Sequence, residues 1–473
     1  MNGFRLMWAV VAFTLFLACA GCATQPTGNA NSNTTTNTAN TTTKNAPASD
    51  ASRARANNLP VTLPVLDALF YEDESFKAAL KDRLGLNDNQ IAQLQKIARE
   101  ETAKLNETGG TDYTGTTSAA RENAATRIKE VIGEEKTAQL AELIREHWGG
   151  KASTADAASA TVETNAVPRD TRIVVNIPAY RMDVFQNGQL VKTYKIGIGY
   201  PEFPLPIGSR EAKQIIFNPT WTPPYSPWVK ETDEVKRGQT VKAGSPANPL
   251  GIAKIPIGQP SLIHGGKSSA QIGGFASHGC VGLTDPQMKE FVMMMARLAG
   301  ASLNDQQLAD YVKNKTETKT VSLNQSVPVE LRYETIVVED GKLHIYRDVY
   351  DQDTNTEEHL QQVLKSYNVS LEQFSEEERQ RTMDALKEMA RDARGRTDEE
   401  QKGANANASP SPSPKKDAAK RDGKPPEVTR TVKGQKEIVI EVAALKGKGY
   451  PAPVELNTGG ASDKQTADTK RRR

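Results

Sequence analysis

Leu262-Ile263-His264-Gly265-Gly266, a polar Gly-rich loop, and then Ser277-His278-Gly279-Cys280-Val281-Gly282-Leu283 form the stretch on which the reading of this chain turns. Two histidines and a cysteine fall in one short segment, in a chain of 473 residues with only five His and three Cys. Cys19 and Cys22 sit close to the N-terminus, inside what reads as a leader, so Cys280 is the one thiol in the body of the protein. A disulfide framework within one mature chain is excluded, and Cys280 is a nucleophile, a metal ligand or an inert buried thiol. Taken alone, a single Cys is most often a small buried hydrophobe. Its neighbours Gly279 and His278 suit a tight, exposed turn better than a packed core. A reactive thiolate needs a nearby base or positive charge and backbone amides aimed at a developing oxyanion. The Gly279–Cys280 turn can offer such amides. Leu262-Ile263 reads as the end of a strand, and a return of the chain can bring His264 back to Cys280. Zinc requires three or four ligands at set spacings, and no second body cysteine is present to complete such a set.

These residues carry a resemblance. His264, twelve intervening residues, then Ser277-His278-Gly279-Cys280-Val281 resembles the signature of the L,D-transpeptidase (YkuD-type) catalytic domain. Asn218-Pro219-Thr220-Trp221 and Asn248-Pro249-Leu250-Gly251 resemble two further segments of that family. So does the run from Gly341 to Asp348-Val349-Tyr350, and the likeness extends over about residues 170 to 350. Two departures stand out. Gly282 occupies a position where many members carry Arg or Asn near the substrate, and Pro204-Leu205-Pro206-Ile207-Gly208 replaces a Thr-Pro-x-Gly turn.

The resemblance implies an acyltransferase acting on peptidoglycan stem peptides. Cys280 is then the nucleophile and His264 the proton acceptor. His278 shapes the pocket, Gly279 supplies an oxyanion amide alongside that of Cys280, and the Gly265 carbonyl orients His264. Ser277, Trp221 and Tyr225 are the candidate substrate contacts. Trp221 to Trp228, rich in Pro and aromatics, reads equally as a cleft wall or as a corner packed on the sheet. The residues themselves support thiol acyl transfer, and the substrate comes from the resemblance alone. An L,D-carboxypeptidase, with water resolving the thioester, and a wall-binding scaffold without catalysis are the alternatives. No cofactor and no metal are expected.

Composition sets outer bounds. The net charge of +2 gives no reason to expect nucleic acid, and the apolar content of 37% is lowered by long Asn/Thr, Ala/Ser and Pro/Ser stretches. Residues 1–22 read as a secretory leader, with Arg5, an apolar run from Leu6 to Ala18, and Ala20-Gly21-Cys22 resembling a lipoprotein processing site. Cys22 is the lipidation candidate, and the expected place is the cell envelope or periplasm, on a membrane anchor. Residues 23–58 form a Thr/Asn tether.

The expected architecture is multidomain α+β. Residues 59–148 read as a helical module, with one apolar-periodic stretch over 59–86, a second helix from Ile91 to Leu105 and a third from Ala119 to Trp148. The Leu-Gly-Leu-Asn phrase starting at Leu84 loosely resembles Spy/CpxP-type periplasmic proteins. A linker over 149–169 leads to a β-rich catalytic domain over 170–350, sandwich-like, with a helix over Asp285–Ala299 after the catalytic turn. Asn187-Gly188 predicts a hairpin. His147 and Trp148 are expected to cap and pack, His344 to be structural and His359 to be solvated. A charged helical extension spans 351–395, a Pro/Ser/Lys linker 396–427 and a short β segment 428–457, in which Glu437–Glu441 pairs with Val428–Val432. A basic disordered tail over 458–473 ends the chain.

Overall fold

A computed structural model describes residues 59–107, 113–149, 165–201, 203–224, 229–258, 261–397 and 431–460. The leader with Cys22, the tether, most of both linkers, Tyr225 and the end of the basic tail lie outside the described residues.

The first stretch is two helices, α1 (Leu63–Glu72) and α2 (Glu74–Asp82), not one. Asp73 separates them because its carboxylate accepts the Phe76 amide at 2.9 Å and caps α2. Asn87 and Gln90 cap α3 (Asp88–Glu107) reciprocally, side chain to backbone, at 2.9 and 3.2 Å. The last helix, α4 (Tyr113–Gly149), starts earlier than expected and kinks at Gly133, whose φ is 80°. His147 closes it with Nε2 2.8 Å from Asp73 Oδ2 and its ring 5.2 Å from Phe76. The side chain of Trp148 is outside the described set. The buried stripe of this module, including Leu66, Phe70, Leu94, Ile128 and Ile144, runs without a break into the core of the β-rich region.

That region is built on an eight-stranded mixed sheet in the order β3-β2-β1-β10-β5-β6-β7-β9. Its strands are β1 (Arg172–Asn176), β2 (Arg181–Gln186), β3 (Gln189–Lys195), β5 (Gly208–Phe217), β6 (Ala253–Pro256), β7 (Leu262–His264), β9 (Val281–Gly282) and β10 (Lys319–Arg332). Two short parallel strands, β4 (Ile198–Gly199) and β8 (Phe275–Ser277), stand beside it. Asn187 and Gly188 take φ of 50° and 80°, as an Asn-Gly hairpin turn demands. The helix after the catalytic turn, α5 (Asp285–Leu298), opens on a Thr284–Gln287 capping box and buries Phe291, Val292, Met295 and Leu298, as its spacing predicts. Two features were not anticipated. β10 begins at Lys319 rather than Val327, and its polar first part pairs with β5 across an irregularity between Ser322 and Val327. A further helix, α6 (Asp305–Lys313), precedes it, capped by Asn304. Polar, largely exposed residues gave neither a periodic apolar signal.

The remainder departs further from expectation. β11 (Ile336–Glu339), β12 (Lys342–Tyr346) and β13 (Glu437–Glu441) form a separate antiparallel sheet. The helices α7 (Glu357–Ser366) and α8 (Glu376–Met389) pack on it around their own core of Ile336, Leu343, Leu364, Leu386 and Ile440. β13 pairs with β12, a strand some 90 residues upstream; of its expected partner Val428–Val432 only Thr431 and Val432 are among the described residues, and they form no strand. His344 on β12 contacts Glu437 Oε1 through Nδ1 at 2.6 Å. His359 is not simply solvated, because its Nδ1 lies 2.7 Å from the Thr354 carbonyl. The C-terminal end of the expected 149–169 linker is held firmly. Asn165 is buried, and its side chain donates to the Ile336 carbonyl and accepts from the Val338 amide, completing the edge of β11. After β13 the chain returns along the edge of β3, where the Thr193 amide donates to the Val454 carbonyl and the Lys195 amide to that of Asn457. Residues 458–460, expected in the tail, continue this strap, and Gly459 accepts the Ser269 hydroxyl at 2.6 Å.

Candidate functional site

His264 ends β7 and Gly282 ends β9, and the two are register partners in a parallel pair. Cys280 lies in the turn one residue before β9, where its thiol has a hydrogen bond with the backbone of Leu262 at the start of β7, the strand that His264 ends. On the other side of β7, Lys254 of β6 is the antiparallel partner of His264. The sheet thus sets Lys254, His264 and Gly282 in one row across three strands, with Cys280 beside it.

The turn that carries Cys280 is held from within. The Ser277 hydroxyl donates to the Cys280 carbonyl at 2.6 Å and accepts the Cys280 amide at 3.0 Å. Gly279 takes a φ of 94°, a backbone conformation that favours glycine, and its carbonyl accepts the Ser261 hydroxyl at 2.9 Å. Two expectations change on this geometry. Ser277 is buried and its hydroxyl is committed to the turn, so it is not placed to contact substrate. The Cys280 amide is likewise engaged by Ser277, which leaves Gly279 as the better oxyanion candidate. The Gly279 amide faces Gly199, where a Cβ would come within 3.2 Å of it. His278 is half-buried between Tyr200 and Phe203, edge-on, with centroids 5.1 and 4.7 Å away.

His264 is buried, and its Nδ1 lies 2.7 Å from the Gly265 carbonyl oxygen. A carbonyl only accepts, so Nδ1 is assigned the proton and the neutral ring presents a lone pair at Nε2. Burial pushes the imidazole down to about 3, and the Lys267 and Lys254 ammoniums press in the same direction against the Gly265 and Leu250 backbone. Burial also raises the Cys280 thiol, opposed by a hydrogen bond with the Leu262 backbone and by Lys267 and Lys254. The resting pair is a neutral thiol beside a neutral base.

Three residues in the site went unnoticed in the sequence. Asp285, at the first turn of α5, accepts the Ile252 amide at 3.2 Å and the Gly266 amide at 2.8 Å, and so pins the loop that follows His264. Its place after Thr284 signalled only a helix start. Lys254 reaches towards the Thr220 carbonyl, at 3.4 Å, and Lys267 lies over Gly282. Burial lowers both ammoniums and the nearby Cys280 works against that shift. Nothing local in the sequence marks either lysine. Trp221 pairs through its backbone with Val241 and packs, half-buried, with Val229 and Val235 in a small satellite cluster, while the rest of the expected wall, residues 225–228, lies outside the described residues. Asn218 explains the Asn-Pro segment structurally, since its amide donates to the carbonyls of Tyr311, Asn314 and Glu317 and ties α6 to β5. Among the described residues, no group of three or more His, Cys, Asp or Glu is arranged to hold a metal ion.

Residues 170–321 match the YkuD family, the L,D-transpeptidase catalytic domain. Over 124 residues the chain is 34% identical to an Escherichia coli K12 protein described as a probable L,D-transpeptidase, ErfK/SrfK, covering 25% of this chain and 38% of that protein. It therefore spans well under half the length of that curated relative. Among solved structures, the catalytic domain of an E. faecium L,D-transpeptidase is similar over 35% of this chain and all of that one, at 18% identity and a TM-score of 0.23. An L,D-transpeptidase from Mycobacterium smegmatis is similar over 34% of this chain and 58% of that one, at 16% identity and a TM-score of 0.21. Similarities this slight carry no functional weight.

Proposed function

We propose that the chain is a peptidoglycan L,D-transpeptidase with Cys280 as nucleophile and His264 as its base. The observation that carries this reading is the turn that sets Cys280 just ahead of β9, its thiol hydrogen-bonded with the Leu262 backbone of β7, the strand that His264 ends, while the Gly265 carbonyl takes the His264 Nδ1 proton. That pair falls inside the region matching the catalytic domain family.

In the proposed chemistry the substrate is taken from the family resemblance and the residue roles from the site. The Sγ proton passes to His264 Nε2 as sulfur attacks the carbonyl between the third residue of a stem tetrapeptide and its terminal D-Ala. The C–N bond breaks, D-Ala leaves with a proton returned from the imidazolium, and a thioester remains. An amine from a second stem or from an anchored protein then attacks the thioester, loses its proton to His264, and releases the thiol. The Gly279 amide is the candidate donor to the oxyanion, and His278 walls the pocket between Tyr200 and Phe203. Export, with lipidation of Cys22, belongs to the same proposal and would bring the site to the wall. No helix among the described residues is long and apolar enough to cross a membrane.

Muropeptide products test it. Incubated with disaccharide-tetrapeptides, the protein is expected to release D-Ala and form 3-3 cross-linked dimers, and Cys280→Ala to form none. Tripeptides without dimers would instead show a carboxypeptidase. Unchanged substrate from well-folded protein with a reduced thiol would defeat catalysis and leave a wall-binding role.

A further inference from the structure

Gly282, two residues beyond Cys280, leaves a gap beside the turn, and the structure shows what fills it. A Cβ built on Gly282 would meet Lys267 Cγ at 2.8 Å, Cε at 3.1 Å and Cδ at 3.4 Å. The aliphatic stem of Lys267 therefore lies along Gly282, in the space a side chain there would take. Its backbone is fixed in that position. The Lys267 amide donates to the Leu283 carbonyl at 3.1 Å, and the Leu283 amide donates to the His264 carbonyl at 2.9 Å. Asp285 holds the adjoining Gly266. Gly282 itself is buried and clasped by Gly197 through two backbone hydrogen bonds of 2.8 and 2.9 Å.

We propose that Lys267 is the positioning cation of this site: laid across Gly282 from the loop after His264, it fills the space beside that glycine and stabilises the Cys280 thiolate as it forms. The inference is framed by the acyl-transfer reading of Cys280, but its test needs no acyl transfer. The charged and titratable groups around the thiol can be enumerated element by element. Lys254 comes from β6 and His264 from β7, His278 from the turn itself, and Asp285 from the start of α5 with its carboxylate engaged by two backbone amides. His264 is neutral at working pH, so it offers no charge to the thiolate when the thiol ionises. The formal positive charge is left to the two lysines. Lys254 has a backbone partner in Thr220, whereas Lys267 is carried on the side of Gly282, the residue two places beyond the nucleophile. Electrostatic stabilisation by such a group falls slowly with distance in a half-buried site.

The test is the pH dependence of Cys280 alkylation by iodoacetamide in the full chain, followed on the Cys280 peptide by mass spectrometry so that Cys19 and Cys22 do not interfere. In that reaction the thiol proton goes to buffer, the Sγ–C bond forms and iodide leaves. Lys267→Met keeps the stem and removes the charge. It is expected to raise the thiol midpoint by about one pH unit and slow alkylation at pH 8 up to about tenfold. Lys267→Arg should restore the parent midpoint. Gly282→Ala, which obliges the Lys267 stem to move, should shift the midpoint the same way by less, and should add nothing to Lys267→Met in the double variant. A midpoint in Lys267→Met equal to the parent's overturns the proposal. If Lys267→Met fails to fold, Lys267→Gln is read by the same criterion. A shifted midpoint in a protein that makes no muropeptide products would keep the role of Lys267 and discard acyl transfer.

Discussion

His264 shows what burial does to a single side chain. Its surroundings hold the imidazole neutral, down to about 3, whereas in an unfolded chain it titrates near 6.5. Between those two values the unfolded chain takes up a proton that the folded chain refuses. Stability therefore falls as pH drops through this window, by at most about 1.4 kcal/mol per pH unit from this one group, and it is fully present above about pH 6.5. His264→Gln is expected to lose that part of the acid sensitivity. Urea unfolding at pH 7 and pH 5 measures it, and an equal drop in both proteins would show that His264 is not the cause. Ser277 makes a different point. A polar residue beside a nucleophile invites a substrate-binding role, yet its hydroxyl is spent on both the carbonyl and the amide of Cys280. It shapes the turn on which the thiol sits.

The C-terminal sheet depends on Arg347 to join its parts. This side chain is fully buried at the end of β12. It donates to the Glu388 carbonyl at 2.7 Å, to Glu388 Oε1 at 3.0 Å and to the Gln435 carbonyl at 3.1 and 3.0 Å. One guanidinium thus ties α8 to the approach of β13. Arg347→Leu keeps apolar volume but strands those carbonyls, and is expected to cost about 2–4 kcal/mol. Hydrogen exchange should show β13 losing protection first, and unchanged protection there would contradict this account. The polar start of β10 carries the opposite lesson about elements. Residues Lys319 to Ser322 are a strand because β5 lies alongside them, and their own composition does not demand it.

Across the whole molecule, the C-terminal strap reaches the loop between His264 and Ser277. From the strap, the Gly459 carbonyl accepts the Ser269 hydroxyl of that loop; Lys436, just ahead of β13, donates through Nζ to the Gly273 carbonyl. On α5, Gln287 Nε2 donates to the Asn457 carbonyl of the strap at 2.9 Å. Ending the chain after Tyr450 removes the Gly459 and Asn457 contacts and the pairing along β3, while sparing β13 and Lys436. Residues 267–276 are then expected to exchange amide hydrogens at least several-fold faster, with the C-terminal sheet unaffected. Equal exchange in the shortened chain would mean that the strap only covers the edge of β3.

Much of this was legible from residue order because its causes are local. The Asn187-Gly188 hairpin, the helix that begins at Asp285 and the tight turn at Gly279 each depend on a few neighbouring residues, and the spacing from His264 to Cys280 pointed to the segments that the pairing of β7 with β9 brings together. What lay beyond reach depends on which strand stands next to which. A period-2 pattern says that a face is buried and is silent about the partner, and closing a long loop costs little more than closing a shorter one. So the sequence held no sign that Lys254 would stand opposite His264, that Lys267 would lie over Gly282, or that β13 would cross some 90 residues to β12. Those placements come from shared burial and backbone pairing between distant segments, and they set the charge around the thiol.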